Sequence, residues 1–315
     1  MRPFQFLIGV GGVVDRRTLI EGARTAEATG YGGLTIHDHL TKQMAPIPVL
    51  SAVAMATERL RLVPFVLNND LRHPAVLAQE LATLDLLSDG RVVVGIGAGW
   101  NEVEYRATGI PFDPPGARID RMKESIAILR GLLGSGPVTI RGHSYTVENM
   151  EGHPKPVQRP FPPFLIGGTR ERLLRLAARE ADIVGIDLRQ DRESLPDAFP
   201  DGMDIRVGWI RESAGDRFAA LDLNVIRLLG GLTITDAPLK AAAEVARGYE
   251  ARTGLVIPPS DILESPFSLI GSVSDLVEKL QVTRARWGIN SYLVGLLGDE
   301  GLAEFAPVVE QLGGT

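Results

Sequence analysis

The sequence predicts an α/β protein with the (β/α)8 TIM barrel fold and a helical insertion region near the carboxyl ends of its strands. Two observations lead to this prediction. Short apolar runs alternate with longer amphipathic stretches along most of the 315 residues, which is the rhythm of parallel strands joined by helices. Eight of the apolar runs are typical of strands, and eight favours a closed barrel over an open, doubly wound sheet.

Local signals set the boundaries of the predicted elements. Asp15 suits an N-cap, Gly30 a C-cap, and Pro74 the first position of a helix. Apolar residues recur on one helical face in residues 118–133. The predicted strands begin at Phe4, Gly33, Leu60, Arg91, Phe164, Asp182, Ile205 and Asn290, and the predicted helices are 16–30, 46–57, 74–87, 118–133, 170–180, 275–287 and 302–312.

Two stretches depart from this rhythm. Residues 137–147 have the pattern of two short strands around Arg141 and Gly142, which predicts a hairpin inserted between barrel units. In residues 191–265 the strand signals become sparse, and segments interrupted by Gly and Pro dominate, so we predict a helical insertion there. We expect residues 1–315 to form one domain.

Composition and charge exclude several classes of protein. The absence of cysteine rules out disulfides, thiolate metal sites and cysteine nucleophiles, and fits a reducing cytoplasm. A net charge of −6 argues against nucleic-acid binding, which needs a concentrated basic face. The first residues are interrupted by Gln5 and soon by charges, so we expect neither a signal peptide nor a membrane span and a cytoplasmic location.

Polar and glycine residues recur where the predicted strands end, the side at which barrels carry their chemistry. The segment IGAGWNEVEY at 96–105 raises a specific question, because Gly97, Ala98 and Gly99 leave a buried strand just before Trp100 and Asn101. Such small residues suit either a tight strand-to-helix turn or close approach of the backbone to a ligand. Local sequence leaves both interpretations open.

A second strand end carries His37, Asp38 and His39. One interpretation is an aspartate that only caps the following loop. Another is a carboxylate that fixes the tautomer of a histidine, which then moves a proton near neutral pH. A metal site needs about three converging ligands, and the sequence offers no third partner, so we predict no metal.

Several motifs together resemble the bacterial-luciferase-like family of flavin- or deazaflavin-dependent oxidoreductases. The most specific is LATLDLLSDGRVVVGIGAGWNEVE at 81–104, which is similar to the family's central helix, turn, strand and cofactor loop in one piece. The resemblance spans nearly the whole chain and implies a (β/α)8 barrel with an insertion region. The other motifs are Asp38-His39, Arg72-His73-Pro74, the segment PFLIGG at 163–168, Ser265-Pro266 and the segment LIGS at 269–272.

The Asp38-His39 pair is similar to the branch of this family that uses coenzyme F420. The resemblance implies that Asp38 and His39 flank the deazaflavin ring, that His39 exchanges a proton with substrate, and that Asp38 orients it. It also implies a third-strand bulge with a non-proline cis peptide. Cofactor contacts are implied for Asn68 and Asn69 behind the ring, for Ala98, Gly99 and Asn101 beside its side chain, and for Gly167, Gly168, Thr169 and Arg170 around its phosphate.

Three functions follow as hypotheses. The first is hydride transfer between coenzyme F420 and a small organic substrate, and the alternative is a two-component monooxygenase that uses reduced FMN and O₂. A third is a barrel that only binds a flavin-like ligand. We expect Trp100, Trp209 and Phe65 to line a largely apolar substrate pocket. The family's sugar-phosphate dehydrogenase carries Glu near the position of Trp100, which argues against that substrate, and the resemblance makes a homodimer plausible.

Overall fold

The computed structural model describes residues 2–188, 193–226, 228–299 and 301–315. Strands and helices alternate along these residues, and the helix bounds lie close to those predicted. The strands are β1 Gln5–Val10, β2 Gly33–Ile36, β3 Arg61–Pro64, β4 Leu67–Asn68, β5 Val94–Gly97, β6 Pro137–Arg141, β7 Thr146–Glu151, β8 Phe164–Gly168, β9 Ile183–Ile186, β10 Asp222–Val225, β11 Leu232–Ile234, β12 Leu269–Gly271 and β13 Ile289–Leu296. The helices are α1 Arg16–Thr29, α2 Pro46–Ala54, α3 Pro74–Leu87, α4 Glu102–Thr108, α5 Pro115–Leu133, α6 Glu171–Glu180, α7 Pro200–Ala214, α8 Pro238–Thr253, α9 Pro259–Glu264, α10 Val273–Trp287 and α11 Gly301–Leu312.

The sheet topology confirms the predicted fold class. The strand order is β3-β2-β1-β13-β10-β9-β8-β5-β4. Its first and last members, β3 and β4, are halves of one strand interrupted near the cis peptide bond between Phe65 and Val66. With those halves counted as one strand, the described residues give eight strands separated by helices, which is the topology of a (β/α)8 barrel.

By the density of its contacts, the chain divides into two compact units. The first comprises Met1–Gly9, Thr25–Gly33 and Gly167–Thr315. Inside it, Phe6 packs edge-on against Phe305 with ring centroids 5.2 Å apart. Aromatic contacts of this kind and continuous apolar strands supply its core.

The second unit comprises Val10–Arg24 and Leu34–Ile166. Its parallel pairs β4–β5 and β5–β8 place Leu67 opposite Ile96, and Ile96 opposite Ile166. The predicted hairpin is present as the antiparallel pair β6–β7. Glu124 on α5 fixes the hairpin tip by accepting the backbone N–H groups of residues 143, 144 and 145 at 2.8–3.2 Å.

The predicted strand at Ile205 is wrong, because residues 200–214 form helix α7. Ile205, Val207 and Trp209 alternate as in a strand, but Met203, Val207 and Ile210 are buried with the spacing of a helix. The missing sheet strand is β10, whose sequence DLNV holds only four residues, and two of them are polar. Because of these polar residues, the hydrophobic pattern alone does not predict strand β10.

The predicted insertion at 191–265 therefore has different bounds. Residues 191 and 192 lie outside the described residues, and α7 and β10 belong to the regular alternation. The segment that interrupts the alternation begins after β10. It contains α8 and α9 and the short parallel pair β11–β12, in which Leu232 lies opposite Leu269.

Candidate active site

In the second unit, three strand ends are joined by side-chain contacts. Residues 37–39 follow β2, Asn69 follows β4, and residues 98–101 follow β5. Each group stands at the carboxyl end of its strand, where barrels carry their active sites.

Asp38 anchors the end of the third strand. Its side chain is buried, and its carboxylate accepts hydrogen bonds from Arg72 Nη1 at 2.7 Å, Arg72 Nη2 at 3.3 Å and the backbone N–H of Asn68 at 3.0 Å. A bidentate arginine pair is a strong and directional contact. Both carboxylate oxygens of Asp38 are thus committed to Arg72 and β4.

His39 contacts a different carboxylate from the one expected. Its Nδ1 lies 3.1 Å from Glu104 Oε2, and its side chain is 29% exposed. The Trp100 ring packs against the imidazole in a T-shaped arrangement, with centroids 5.6 Å apart. No hydrogen bond joins Asp38 to His39 among the contacts of the described residues, and the carboxylate at hydrogen-bond distance from His39 Nδ1 is that of Glu104.

Glu104 is buried in the short helix α4, and its second oxygen is also engaged. Thr41 donates its hydroxyl to Oε1 at 3.1 Å. Burial alone raises the pKa of the Glu104 carboxyl, but the hydrogen bond and charge of His39 and the hydrogen bonds from Thr41 outweigh it. The net effect is a pKa below the usual value, so this carboxyl is ionised at neutral pH.

The end of the third strand is held by a network around Asp70. Tyr105 Oη lies 2.9 Å from both Asn68 Oδ1 and Asp70 Oδ2, and Arg121 donates to Asp70 from Nε and Nη2 at 2.8 and 3.0 Å. Asn69 donates to Tyr145 Oη at 3.3 Å. The buried Asn69 Oδ1 has no hydrogen-bond partner in the described part of the chain.

The glycines at and after the end of β5 fit against the protein's own side chains. Gly99 has φ of +73°, and a Cβ there would lie 1.9 Å from Tyr105 Oη and 2.6 Å from Asn68 Oδ1. A Cβ at Gly97 would lie 2.6 Å from Val66 Cγ2. The close approach at these glycines is made to the interrupted third strand and to Tyr105, whereas the interpretation from the sequence supposed a ligand.

The remaining predicted residues near β5 differ in exposure. Ala98 is buried and accepts a hydrogen bond from Arg118 Nε at 3.3 Å, and Asn101 occupies the N-cap position of α4. Trp100 is 67% exposed, whereas Phe65 is 2% exposed and its carbonyl accepts from His37 Nδ1 at 2.5 Å. Trp209 lies within α7, so the strand end on which its pocket role was based does not exist.

The predicted phosphate-binding residues belong to the first unit. Gly168 ends β8, and a Cβ there would lie 2.8 Å from Leu173 Cγ. Gly167 and Thr169 adjoin it and are half-buried. Arg170 stands at the N-cap position of α6 and is exposed, with Nη2 3.2 Å from Ser194 Oγ and Nη1 3.9 Å from Asp197 Oδ2.

Sequence reasoning missed Glu104, Thr41, Tyr105 and the Asp70–Arg121 pair. One signal was available for Glu104, which is followed by Tyr105 at the buried positions of a short helix directly after the glycine exit. The partners of the other residues come from distant segments, so no local pattern reveals them. The described residues hold no cluster of three His, Asp or Glu side chains suited to a metal. Nor is any described helix long and apolar enough to cross a bilayer.

Comparison with known proteins places the chain in a family. The family model described as luciferase-like monooxygenase matches residues 5–201, more than half of the chain. The chain is 34% identical over 199 residues to the F420-dependent glucose-6-phosphate dehydrogenase of Microbacterium testaceum, covering 59% of this chain and 58% of that protein. It is 31% identical over 153 residues to the FMNH2-dependent dimethylsulfone monooxygenase of Pseudomonas putida, covering 49% of this chain and 40% of that one.

The fold is shared with solved structures along the whole chain. The coenzyme F420 dependent tetrahydromethanopterin reductase of Methanopyrus kandleri has a TM-score of 0.78 at 21% identity, covering 98% of both chains. The chain spans about half the length of the two sequence relatives named above. The fold is that of a (β/α)8 barrel, with the candidate site at the carboxyl ends of its strands. The chain belongs to the luciferase-like monooxygenase family.

Proposed function

We propose that this protein transfers a hydride between coenzyme F420 and a small organic substrate, with His39 as the proton donor or acceptor. The observation that carries the proposal is the position of His39, whose partly exposed ring contacts both the buried Glu104 carboxylate and the exposed indole of Trp100. A histidine in such a place can exchange a proton with a bound substrate.

The described residues fit a flavin-like ring at these strand ends. Such a ring presents carbonyl and N–H groups along one edge, which amide side chains can match. Asn69 has an acceptor oxygen without a partner among the described residues, and Asn101 makes no side-chain capping bond. We assign Asn68, Asn69, Ala98, Gly99 and Asn101 to the ring and its side chain. Gly167, Gly168, Thr169 and Arg170 are assigned to the phosphate.

When bound, the deazaflavin supplies a ring carbon that accepts or donates a hydride and reacts poorly with O₂. The chain's own residues do the rest in this proposal. His39 exchanges a proton with the substrate oxygen, Trp100 excludes water from one side of the substrate, and Asp38 keeps Asn68 in place through its hydrogen bond to the Asn68 N–H. The apolar face of Trp100 favours a substrate without a phosphate group beside His39.

The second candidate is a two-component monooxygenase that uses reduced FMN and O₂. One observation favours it, namely the similarity to the FMNH2-dependent dimethylsulfone monooxygenase. The F420-dependent relative from Microbacterium testaceum matches a larger share of this chain, 59% against 49%. We therefore propose F420, and not FMN, as the cofactor.

Side-by-side titration of the purified protein with F420 and FMN tests the choice. Both cofactors are measured in their oxidised and reduced forms, in one buffer and under anaerobic conditions. We expect F420 to bind more tightly than FMN in both forms. Tighter binding of reduced FMN than of reduced F420 would contradict the proposal and support the monooxygenase.

A further inference from the structure

We infer that Glu104, held by Thr41, is a positioning residue that keeps the proton of neutral His39 on Nδ1 and leaves Nε2 to exchange protons with substrate. The inference rests on the proposed function only for the identity of the reaction. The tautomer itself is a property of the chain without cofactor or substrate.

The contacts fix the Glu104 side chain in one orientation. Its exposed fraction is 5%, its Oε2 lies 3.1 Å from His39 Nδ1, and its Oε1 accepts from Thr41 at 3.1 Å. Glu102, two residues earlier, instead points outwards and pairs with Arg106 at 2.8 Å, with a side chain 55% exposed. The two glutamates of one short helix thus have separate environments.

The chemistry of these atoms determines the tautomer. An ionised carboxylate can only accept hydrogen bonds, so its partner Nδ1 must carry a proton. A neutral imidazole has one N–H, and Nε2 is then the acceptor atom. When Nε2 takes a proton, the positive charge that develops on the ring lies beside the Glu104 carboxylate, which stabilises it.

Other groups around His39 do not offer Nδ1 a competing acceptor in the described structure. Among the described residues, Glu104 is the hydrogen-bond partner of the His39 ring, whereas the rings of His37 and Trp100 make only ring contacts with it, with centroids 6.2 and 5.6 Å away. Arg72 and the Asn68 N–H bind the Asp38 carboxylate. The hydrogen bond from His39 and those from Thr41 lower the pKa of Glu104 against the opposing effect of burial, which agrees with an ionised acceptor.

Nitrogen-15 NMR of the histidine side chains tests the tautomer directly, with the full chain free of cofactor and substrate. The signals of the five histidines are recorded at a pH where His39 is neutral, and His39→Asn identifies the His39 signal. We expect wild-type His39 to carry its proton on Nδ1. A proton mainly on Nε2 overturns the inference, and this measurement needs no Glu104 variant to fold.

Variants then test whether Glu104 is the cause. Glu104→Leu removes the acceptor, and we expect the Nδ1-protonated fraction of neutral His39 to fall below that of wild type, with Glu104→Gln between the two. The matched controls are Glu102→Gln, from the same helix, and Asp38→Asn, from the residue next to His39. Both should retain the wild-type tautomer, and a change in Asp38→Asn as large as that in Glu104→Leu contradicts the assignment.

Turnover separates this inference from the proposed function. We expect Glu104→Gln to lower kcat by roughly 10- to 1,000-fold, with a smaller change in KM, because the tautomer affects proton exchange more than binding. If the tautomer depends on Glu104 but turnover does not depend on His39, the positioning stands and the proposed mechanism fails. If turnover depends on His39 and the tautomer does not depend on Glu104, the proposed mechanism stands and the positioning role of Glu104 fails.

Discussion

At the scale of single residues, His39 is the side chain on which the proposed chemistry depends. Replacing it with Asn should leave folding and most cofactor affinity intact, because the ring is partly exposed and does not fill the core. We expect turnover to fall by roughly 10²–10⁴-fold, the usual loss when a general acid or base is removed. The measurement is turnover per folded molecule at saturating cofactor.

His143→Asn is the matched control for this substitution. His143 lies exposed in the hairpin tip, and its fixed contact to Glu124 is made by its backbone N–H. It should retain wild-type turnover. If His39→Asn lowers the melting temperature but leaves turnover per folded molecule unchanged, His39 is a packing residue and has no part in the mechanism.

Gly99 allows a second test at this scale, concerning stability. Gly99→Ala should destabilise the protein for two reasons: its φ of +73° is unfavourable for alanine, and its Cβ would meet Tyr105 Oη and Asn68 Oδ1. The backbone effect costs about 1–2 kcal/mol, and forcing the neighbours apart adds roughly 1–3 kcal/mol. Urea unfolding measures the sum.

Gly109→Ala separates the two effects. Gly109 has nearly the same φ, +74°, but a Cβ there would meet no atom within 4 Å. Its substitution should therefore show the backbone effect alone. Equal losses in the two variants would mean that the space at Gly99 is not limited by Tyr105 and Asn68.

At the scale of elements, helix α10 has a complete capping box. Ser272 accepts from the Asp275 N–H at 3.3 Å, and Asp275 Oδ2 accepts from the Ser272 N–H at 2.9 Å. Ser272→Ala should reduce the free energy of unfolding by about 1 kcal/mol. Ser135→Ala, at an exposed position that forms no helix cap, should be near neutral, and equal effects in the two variants would exclude a capping contribution.

At the scale of the whole molecule, several carboxyls have a pKa below the usual value, and Glu124 shows the cause clearly. Burial raises its pKa, but the hydrogen bonds from the backbone N–H groups of Ser144, His143 and Tyr145 lower the pKa by more than burial raises it. A lowered folded-state pKa gives stability that is present above the usual value of about 4.5 and is lost as the pH falls below it. Acid should therefore destabilise the protein progressively below that pH.

Glu124→Gln tests this linkage. We expect the variant to lose less stability than wild type between about pH 5 and pH 3, because an amide does not titrate. The midpoint of urea unfolding across that range is the measurement. Glu148→Gln, which removes an exposed ion pair with Arg141 in the same hairpin, should follow the wild-type curve, and identical curves for all three proteins would contradict the role of Glu124.

The sequence by itself determined the fold class and most of its elements. Hydrophobic periodicity is a local property, so the helices at 74–87 and 118–133 and the hairpin near 137–147 could be predicted from neighbouring residues. It failed at α7 and β10, where alternation within a helix and polar residues within a strand gave misleading local signals. The strand-end position of His39 could also be predicted, because it depends only on where β2 ends.

Only the tertiary structure decided which side chains meet. Asp38 precedes His39 in sequence, yet successive side chains at a strand end point in different directions, and Asp38 binds Arg72 and β4 instead. The carboxylate that contacts His39 comes from Glu104, 65 residues further along the chain. Contacts at that separation are set by how strands and helices pack, and no local pattern contains that information.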